Sequence, residues 1–420
     1  MDKFLIRGGR RLSGTVTISG AKNATLALMP AALLASGTFH LHNTPVLRDV
    51  NTMAALLRTM GMEIDLQDHL LTLRTGKISK YEAPYEHVKK MRASIYVLGP
   101  LVSRYGEARV SLPGGCAWGP RPVNLHIEGI RKLGAQVDLQ GGYIIARARR
   151  LTGARIHFDV SSVGATGNAM MAAVLAKGTT IIQNAAIEPE ITALAGFLMS
   201  MGARIDGVGT NCLEIEGVDE LHSTDAETIP DRIEAGTFLV AAAITGGDVT
   251  LEHVNAEHLT AVLDKLENAG CAVSITPTQV TLKSVQSIKP VDVTAANYPG
   301  FPTDMQAQWT ALMTKANGTS VVTDTIYLDR FKHLPELTRL GADIELKENS
   351  AVVRGGKKLT GAKVMSTDLR ASASLILAGL VAEGTTEVLR VYHIDRGYET
   401  IEKKLSMIGA DIERIAGEEF

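Results

Sequence analysis

The chain has 420 residues, of which 45% are hydrophobic and 5% aromatic, with 40 glycines and a formal net charge of -2. This length predicts two or three domains, each large enough to bury its own core. The near-neutral charge disfavours a protein that binds nucleic acid by bulk electrostatics. The sequence contains no run of about 18 apolar residues, so it predicts no membrane-spanning helix.

The cysteines indicate a reducing compartment. Only three occur, Cys116, Cys212 and Cys271, and they are too few and too scattered for a disulfide framework or a zinc site. We therefore expect a cytoplasmic protein without a metal. Cys212 and Cys271 lie in strand-like segments and are predicted to be buried.

One sequence phrase recurs six times at intervals of about 70 residues. It is a short helical stretch, then Gly, then alternating apolar residues, and its glycines are Gly61, Gly134, Gly202, Gly270, Gly341 and Gly409. A second phrase with the same period is a helix of small residues that ends in Gly and is followed by Thr, as at 34–38 and 175–179. Gly suits a left-handed helix cap and Thr suits a strand, so each repeat is predicted to contain helix, strand, helix and one or two further strands.

Six such repeats can form either a solenoid or two globular domains of three repeats each. Solenoid repeats are usually shorter, about 20 to 50 residues, and their terminal copies are atypical. The last copy here is as regular as the middle ones. We therefore predict two domains of α/β or α+β class, divided near residues 228–231.

The first helix of each repeat begins with a short segment of small, polar or charged residues. These segments are 19–24, 90–94, 161–166, 230–237, 301–305 and 368–372. Ser and Asp in them are typical of ordinary helix caps. Cations are unfavourable at helix N-termini unless an anion offsets them, however, and Lys22, Arg92 and Arg370 occur there. They favour binding sites for phosphate or carboxylate groups.

Residues 113–122 contain three glycines and three prolines around Cys116, which predicts an exposed loop. Arg121 lies five residues beyond the thiol, and a nearby cation favours the reactive thiolate. The alternative is an inert loop cysteine. His126, which follows the loop, is either a packed or solvated histidine or an acid–base group. Asp395 and Arg396 form either a surface charge patch or part of a site.

Nine blocks of the chain resemble, in order, those of the enolpyruvyl transferases that act on UDP-N-acetylglucosamine. The blocks are 19–23, 90–94, 112–116, 119–123, 162–166, 230–234, 301–306, 367–372 and 393–397. The resemblance extends from residue 1 to about residue 415. It implies an α/β protein of two inside-out α/β barrel domains, each with three repeated βαβαββ-type units. One domain would span 21–229 and carry the cysteine loop, and the other would combine 1–20 with 230–420.

The activity that the resemblance implies is transfer of the enolpyruvyl group of phosphoenolpyruvate to the 3-hydroxyl of UDP-N-acetylglucosamine, with release of phosphate. This is the first committed step of peptidoglycan synthesis, and fosfomycin inhibits the family by adding to the loop cysteine. Both substrates are small molecules bound in a cleft that closes. No cofactor, nucleic acid or membrane partner is implied, and the oligomeric state is left open, compatible with a monomer.

The resemblance also assigns roles to residues. The catalytic groups are Lys22, Cys116, Asp304 and Arg396. Asp304 would take the proton of the sugar hydroxyl, whereas Cys116 would add to phosphoenolpyruvate, protonate its C3 or assist product release. Phosphoenolpyruvate and its phosphate would be held by Lys22, Arg92, Arg121 and Arg396. The other implied substrate-binding residues are Asn23 at the sugar, Arg121, Pro122, Val123, Asn124 and Leu125 at the uridine, Ser162, Val163 and Gly164 at the diphosphate, and Ile326, Asp368 and Arg370.

Four positions in three places depart from the family pattern. Asn124 replaces a common Asp, Val160 replaces a common Lys, and Tyr327-Leu328 replaces a common Phe-Glu pair. Two alternatives stay open beside the main interpretation. A transferase acting on shikimate 3-phosphate would lack such a cysteine loop. A silent binding protein would not need to retain Lys22, Cys116, Asp304 and Arg396 together.

Overall fold

The structure, a computed structural model, describes residues 2–112 and 123–416. The predictions for Cys116, Arg121 and Pro122 therefore lie outside the described residues. The chain divides into two compact lobes. The first lobe is Gly20–Ile229, and the second lobe combines Met1–Ser19 with Pro230–Phe420. That each lobe is an independent domain, 21–229 or 1–20 plus 230–420, stays a prediction.

The elements follow the predicted repeat. Strands β1 (Asp2–Arg7) and β2 (Ser13–Thr17) come first. The first lobe then contains α1 (Lys22–Ala31), β3 (Gly37–His42), α2 (Arg48–Met60), β4 (Glu63–Gln67), β5 (Leu70–Thr75), β6 (Glu82–Ala83), α3 (Tyr85–Val88), α4 (Leu98–Tyr105), β7 (Glu107–Ser111), α5 (Asn124–Lys132), β8 (Gln136–Gln140), β9 (Tyr143–Arg147), β10 (Arg155–His157), α6 (Val163–Ala173), β11 (Thr179–Gln183), α7 (Pro189–Ser200), β12 (Arg204–Asp206), β13 (Cys212–Glu216) and β14 (Asp225–Glu227).

The second lobe continues in the same order. It contains α8 (Arg232–Thr245), β15 (Asp248–Glu252), α9 (Thr260–Asn268), β16 (Ala272–Ile275), β17 (Gln279–Lys283), β18 (Val293–Ala295), α10 (Gln306–Met313), β19 (Thr319–Asp324), α11 (Leu334–Arg339), β20 (Asp343–Lys347), β21 (Ser350–Arg354), β22 (Lys363–Met365), α12 (Leu369–Gly379), β23 (Thr385–Leu389), α13 (Ile401–Met407) and β24 (Asp411–Ala416). Short 3-10 helices occur at Ala32–Leu34, Arg92–Val97, Ala256–Leu259, Thr303–Met305 and Val391–Arg396.

The described strands form six four-stranded sheets with one common topology. The orders are β14-β3-β5-β4, β6-β7-β9-β8 and β10-β11-β13-β12 in the first lobe, and β2-β15-β17-β16, β18-β19-β21-β20 and β22-β23-β1-β24 in the second. In each sheet one edge strand is parallel to its neighbour and the remaining pairs are antiparallel. The predicted α/β class and the βαβαββ unit are confirmed.

Two sheets of the second lobe are completed by the start of the chain. Strand β1 lies between β23 and β24, with Phe4 opposite both Val388 and Arg414. Strand β2 is the parallel edge strand beside β15, with Val16 opposite Leu251. In the first lobe, β14 from the end of the third repeat pairs with β3 of the first. These pairings join the first and last repeats of each lobe.

The core of each lobe is built around the first helix of each repeat. In α6 every residue from Ala165 to Ala173 is buried, and α12 is buried along its whole length. A helix without a polar face must be covered on all sides, which explains its central position. The second helices and the strands instead bury one face, as in the alternating pattern of β13. Helices therefore lie inside and sheets outside, as the inside-out barrel requires.

One cysteine prediction is wrong and the other is confirmed. Cys271 is buried, but Cys212 is exposed. Cys212 is the first residue of β13, whose side chains alternate between solvent and core, and it lies on the solvent side. The sequence around Cys212 correctly predicts a strand. Which face of the sheet its side chain occupies depends on the pairing register of β13 with β11 and β12.

Candidate active site

The candidate residues of the first lobe gather at helix starts. Lys22 is the first residue of α1, and Ser162 is the N-cap of α6. Arg92 begins a 3-10 helix rather than the predicted α-helix. This 3-10 helix packs against both α1 and α6. The segment that Arg92 begins therefore lies against both buried helices that carry the other candidate residues.

Lys22 lies in an electrostatically unusual place. The first turn of α1 contains no acidic residue, so the helix itself does not offset the cation. Its Nζ lies 3.9 Å from Oδ2 of Asp49, a buried residue in the first turn of α2. This separation is longer than a good charge-assisted hydrogen bond. Asn23, the next residue, is exposed.

The start of α6 presents backbone donors. The side chain of Ser162 accepts a hydrogen bond from the N–H of Ala165 at 3.3 Å, and its carbonyl accepts from Thr166 at 2.9 Å. The N–H groups of Val163 and Gly164 have no acceptor among residues 2–112 and 123–416. Such unpaired N–H groups at a helix start favour an anion. Val160, where the family commonly has Lys, is 63% exposed nearby in sequence.

The uridine-side candidates surround the start of α5. Val123 is its N-cap, and Asn124 and Leu125 are its first two residues. Asn124 is exposed and Leu125 half-buried. An amide at position 124 can still donate and accept hydrogen bonds, although it lacks the charge of Asp.

The centre of the candidate site in the second lobe is Asp304. Its Oδ1 lies 2.8 Å from Nη1 of Arg330, and its Oδ2 lies 2.7 Å from Nη2 of Arg370. The Arg370 side chain is only 4% exposed, whereas that of Asp304 is 25% exposed. Burial lowers the pKa of Arg370, but the charge of Asp304 outweighs it and the pKa is raised overall. The two guanidinium groups hold the carboxylate in one orientation.

Arg370 is in turn held by a buried network. Its Nη1 donates to the hydroxyl of Tyr398 at 3.2 Å, and that hydroxyl also contacts Thr237 at 2.8 Å and Gln308 at 3.2 Å. These residues come from α8, α10 and α12 and from the segment before α13. Asp368 caps α12 by accepting from the N–H groups of Arg370 and Ala371 at 2.9 and 3.0 Å. The predicted pair Asp368 and Arg370 is therefore placed at one helix start.

Ile326 is linked to the Asp304 segment through Asp324. Asp324 accepts a hydrogen bond from the hydroxyl of Thr303 at 2.6 Å and from the N–H of Ile326 at 2.9 Å. Thr303 immediately precedes Asp304, and it also accepts from Arg330 at 3.0 Å. Leu328, where the family commonly has Glu, is 62% exposed.

Arg396 ends the 3-10 helix Val391–Arg396, which packs against α12. The helix that follows, α13, begins at Ile401. Its neighbour Asp395 pairs with Arg414, whose Nη1 lies 3.1 Å from Oδ2. That pair ties the 3-10 helix to β24.

Three residues that contact the candidate site were not identified from the sequence. Arg330, Tyr398 and Asp49 contact predicted site residues, but none of them lies in a segment that the sequence analysis singled out as a helix start. Tyr398 directly follows the block 393–397, and that position is its signal in the sequence. Across the described ranges, no group of three or more His, Cys, Asp or Glu is arranged to hold a metal ion. None of the described helices has the length and apolarity to cross a membrane.

The family is established by sequence comparison. Residues 6–405 match the family model for EPSP synthase (3-phosphoshikimate 1-carboxyvinyltransferase). The chain therefore belongs to this family of enolpyruvyl transferases. Among its relatives, the UDP-N-acetylglucosamine 1-carboxyvinyltransferase of Chloroherpeton thalassium is 62% identical, over 100% of this chain and 99% of the relative. That of Chlorobium chlorochromatii is 60% identical, with both chains fully covered.

Solved structures agree on the fold. The enolpyruvyl transferase NikO from Streptomyces tendae is similar with a TM-score of 0.90 and 26% identity, covering 99% of each chain. EPSP synthase from Acinetobacter baumannii is similar with a TM-score of 0.77 and 21% identity, covering 99% of this chain and 100% of that one. The second likeness concerns the fold alone. The predicted enolpyruvyl transferase fold is confirmed.

Proposed function

We propose that this chain transfers the enolpyruvyl group of phosphoenolpyruvate to the 3-hydroxyl of UDP-N-acetylglucosamine and releases phosphate. The observation that carries the proposal is the 62% identity, over the whole chain, to a UDP-N-acetylglucosamine 1-carboxyvinyltransferase. The solved shikimate-pathway enzyme that shares the fold is only 21% identical, which favours the nucleotide sugar over shikimate 3-phosphate as acceptor.

The reaction is an addition followed by an elimination. The sugar oxygen bonds to C2 of phosphoenolpyruvate while its proton passes to a base, and C3 gains a proton. Loss of a proton from C3 then restores the double bond as the C2–O bond to phosphate breaks. We assign the base to Asp304, because its two guanidinium partners fix the direction of its carboxylate.

Cations are needed wherever the phosphate and carboxylate of phosphoenolpyruvate are held. We assign this to Lys22, Arg92, Arg121 and Arg396. Asp368 and Arg370 are assigned to the active-site segment at the start of α12. Lys22 is supported by its place as the first residue of α1, whose first turn contains no acidic residue. The cost of a cation at the start of α1 is offset when a dianion binds.

The nucleotide sugar is assigned to the remaining residues. Asn23 and Ile326 would contact the sugar, and Ser162, Val163 and Gly164 would bind the diphosphate. The unpaired N–H groups at the start of α6 support the diphosphate assignment. The uridine is assigned to Arg121, Pro122, Val123, Asn124 and Leu125. Cys116 is proposed to add to phosphoenolpyruvate, protonate C3 or assist product release, and to react with fosfomycin.

The proposed setting is peptidoglycan synthesis in the cytoplasm, where the product opens the pathway to the cell wall. No cofactor enters the steps above, and both substrates are small molecules. Neither nucleic acid nor membrane has a part in the reaction.

Phosphate release from phosphoenolpyruvate tests the proposal. We expect release with UDP-N-acetylglucosamine as acceptor and none with shikimate 3-phosphate. Release with shikimate 3-phosphate alone would establish the alternative transferase, and no release with either would favour a silent binding protein. An Asp304→Asn variant serves as the matched control. Loss of the base should lower kcat by about 100-fold or more while the protein remains folded.

A further inference from the structure

The imidazole of His126 is buried beside the start of α6. His126 is the third residue of α5, only 9% exposed, and its Nδ1 lies 2.8 Å from Nδ2 of Asn168 in α6. Two backbone groups orient that amide. Asn168 Oδ1 accepts from the N–H of Gly99 at 2.8 Å, and Nδ2 donates to the carbonyl of Ile95 at 2.9 Å. The amide cannot flip without losing both bonds.

This orientation decides which nitrogen of His126 carries the proton. The amide nitrogen is a donor only, so its second hydrogen points to Nδ1, which must accept. A neutral imidazole has one N–H, and it is therefore on Nε2. Burial, with a smaller contribution from the charge of Arg92, lowers the pKa of His126 to about 4, so the ring is neutral at pH 7. Tyr96, the other titratable group beside this helix start, donates its hydroxyl to the carbonyl of Val163 at 3.4 Å.

The protonated edge of the ring faces the helix start. A Cβ placed on Gly164 would lie 3.0 Å from Nε2 and 2.9 Å from Cε1 of His126, so the ring fills the space that a side chain would need. No residue in the described part of the chain accepts a hydrogen bond from Nε2. The Nε2–H of this largely buried ring thus adjoins the unpaired N–H groups of Val163 and Gly164, at the start of a helix of 11 residues.

We propose that His126 donates a hydrogen bond from Nε2 to a phosphate oxygen of the nucleotide sugar, and that Asn168 is the positioning residue that holds the ring in this tautomer. The identity of the ligand rests on the proposed function. A diphosphate is the ligand that fits, because three neutral donors converge where a helix start favours negative charge. A neutral donor also avoids a second cation beside Arg92, which is half-buried.

Calorimetric binding of UDP-N-acetylglucosamine, UDP and uridine tests the proposal. His126→Phe keeps a ring without the donor, and His126→Gln keeps an N–H at a similar reach. We expect His126→Phe to lower the affinity for UDP-N-acetylglucosamine and for UDP by about 10-fold or more, because hydrogen bonds to charged groups are the strong ones. The affinity for uridine should fall by less than about 2-fold. His126→Gln should stay within about 3-fold of the wild type. Unchanged binding of UDP, or equal losses for UDP and uridine, would overturn the proposal.

The tautomer is tested separately, without ligand. In protein labelled with 15N-histidine, the His126 signal is identified as the one that is missing from the spectrum of His126→Gln. We expect this signal to show a protonated Nε2 and an unprotonated Nδ1. A protonated Nδ1 in the wild type would refute the role of Asn168. In Asn168→Asp the carboxylate should accept from Nδ1–H and favour the imidazolium. Affinity for UDP-N-acetylglucosamine should then change between about pH 5 and 8, whereas the wild type should show no such change from this group.

Failure of this proposal and failure of the proposed function give different results. Normal phosphate release by the wild type, with UDP binding unaffected in His126→Phe, would remove only the role of His126. Loss of UDP affinity in His126→Phe, with no phosphate release by the wild type, would leave the nucleotide site in place and remove the transferase activity.

Discussion

At the scale of single residues, Arg370 depends on the hydroxyl of Tyr398. The Thr237 hydroxyl donates to the carbonyl of Ile233 at 2.7 Å, so the Tyr398 hydroxyl donates to Thr237 and accepts from Arg370 and Gln308. Burial raises the pKa of Tyr398, which keeps it a neutral donor at physiological pH. One phenolic oxygen therefore connects three helices behind Asp304.

Tyr398→Phe should remove this connection while keeping the ring. Buried donors of Arg370 and Gln308 would lose their acceptor, at a cost of about 1–3 kcal/mol in the free energy of unfolding. Because Arg370 also fixes Asp304, kcat should fall by about 10-fold. Urea unfolding and steady-state kinetics measure the two effects. The control Tyr143→Phe should change the free energy of unfolding by less than about 0.5 kcal/mol, because none of the described residues bonds that hydroxyl. Equal effects of the two substitutions would contradict this account.

At the scale of elements, the repeats were open to prediction because their signals are local. Gly61 and Gly409 follow helices in the left-handed conformation, with φ of 113° and 103°, as the recurring phrase indicates. The position of β1 between β23 and β24 has no such signal. Its partners lie nearly the whole chain away, and pairing of that kind is decided by tertiary packing.

The packing of β1 leads to a prediction about Phe4. Its side chain is fully buried, and the guanidinium of Arg414 lies 5.0 Å from the ring centroid. Phe4→Ala should lower the free energy of unfolding by about 3–5 kcal/mol, since a central strand leaves a cavity that neighbours cannot fill. Ile275→Ala, at an exposed position of β16, is the control and should cost under about 1 kcal/mol. Urea unfolding measures both losses. If Phe4→Ala lowered the free energy of unfolding by less than about 1 kcal/mol, β1 would add little to the stability of the second lobe.

At the scale of the whole molecule, the site was predictable only in part. Helix starts at Lys22, Ser162 and Asp368 could be inferred from capping chemistry and charge. The contacts that orient them could not: Asp304 to Arg370 and His126 to Asn168 join residues of different repeats. Such contacts depend on how buried helices pack, and no local pattern encodes that.

Each lobe also buries one histidine in its neutral form, and this makes both lobes sensitive to acid. Burial, and to a lesser degree the charge of Arg330, lowers the pKa of His333 in the second lobe to about 3, while that of His126 in the first is lowered to about 4. An unfolded histidine has a pKa near 6.5. Below that value the unfolded chain binds a proton that the folded chain does not, so stability is complete above about pH 6.5 and falls as the pH drops towards the folded pKa.

His333→Phe should therefore reduce the acid sensitivity of the second lobe. The ring of His333 stacks on Phe331 with centroids 6.3 Å apart, and its buried Nε2 has no partner in the described structure. Phenylalanine keeps the ring and removes the proton-binding group. Between pH 7 and pH 4 the wild type should lose up to about 3 kcal/mol more than the variant in the free energy of unfolding. Urea titrations at both pH values measure that difference. Carboxylates that occur in both proteins contribute equally to the two losses and cancel in the comparison. Parallel losses in the two proteins would show that His333 is protonated in the folded state at pH 4.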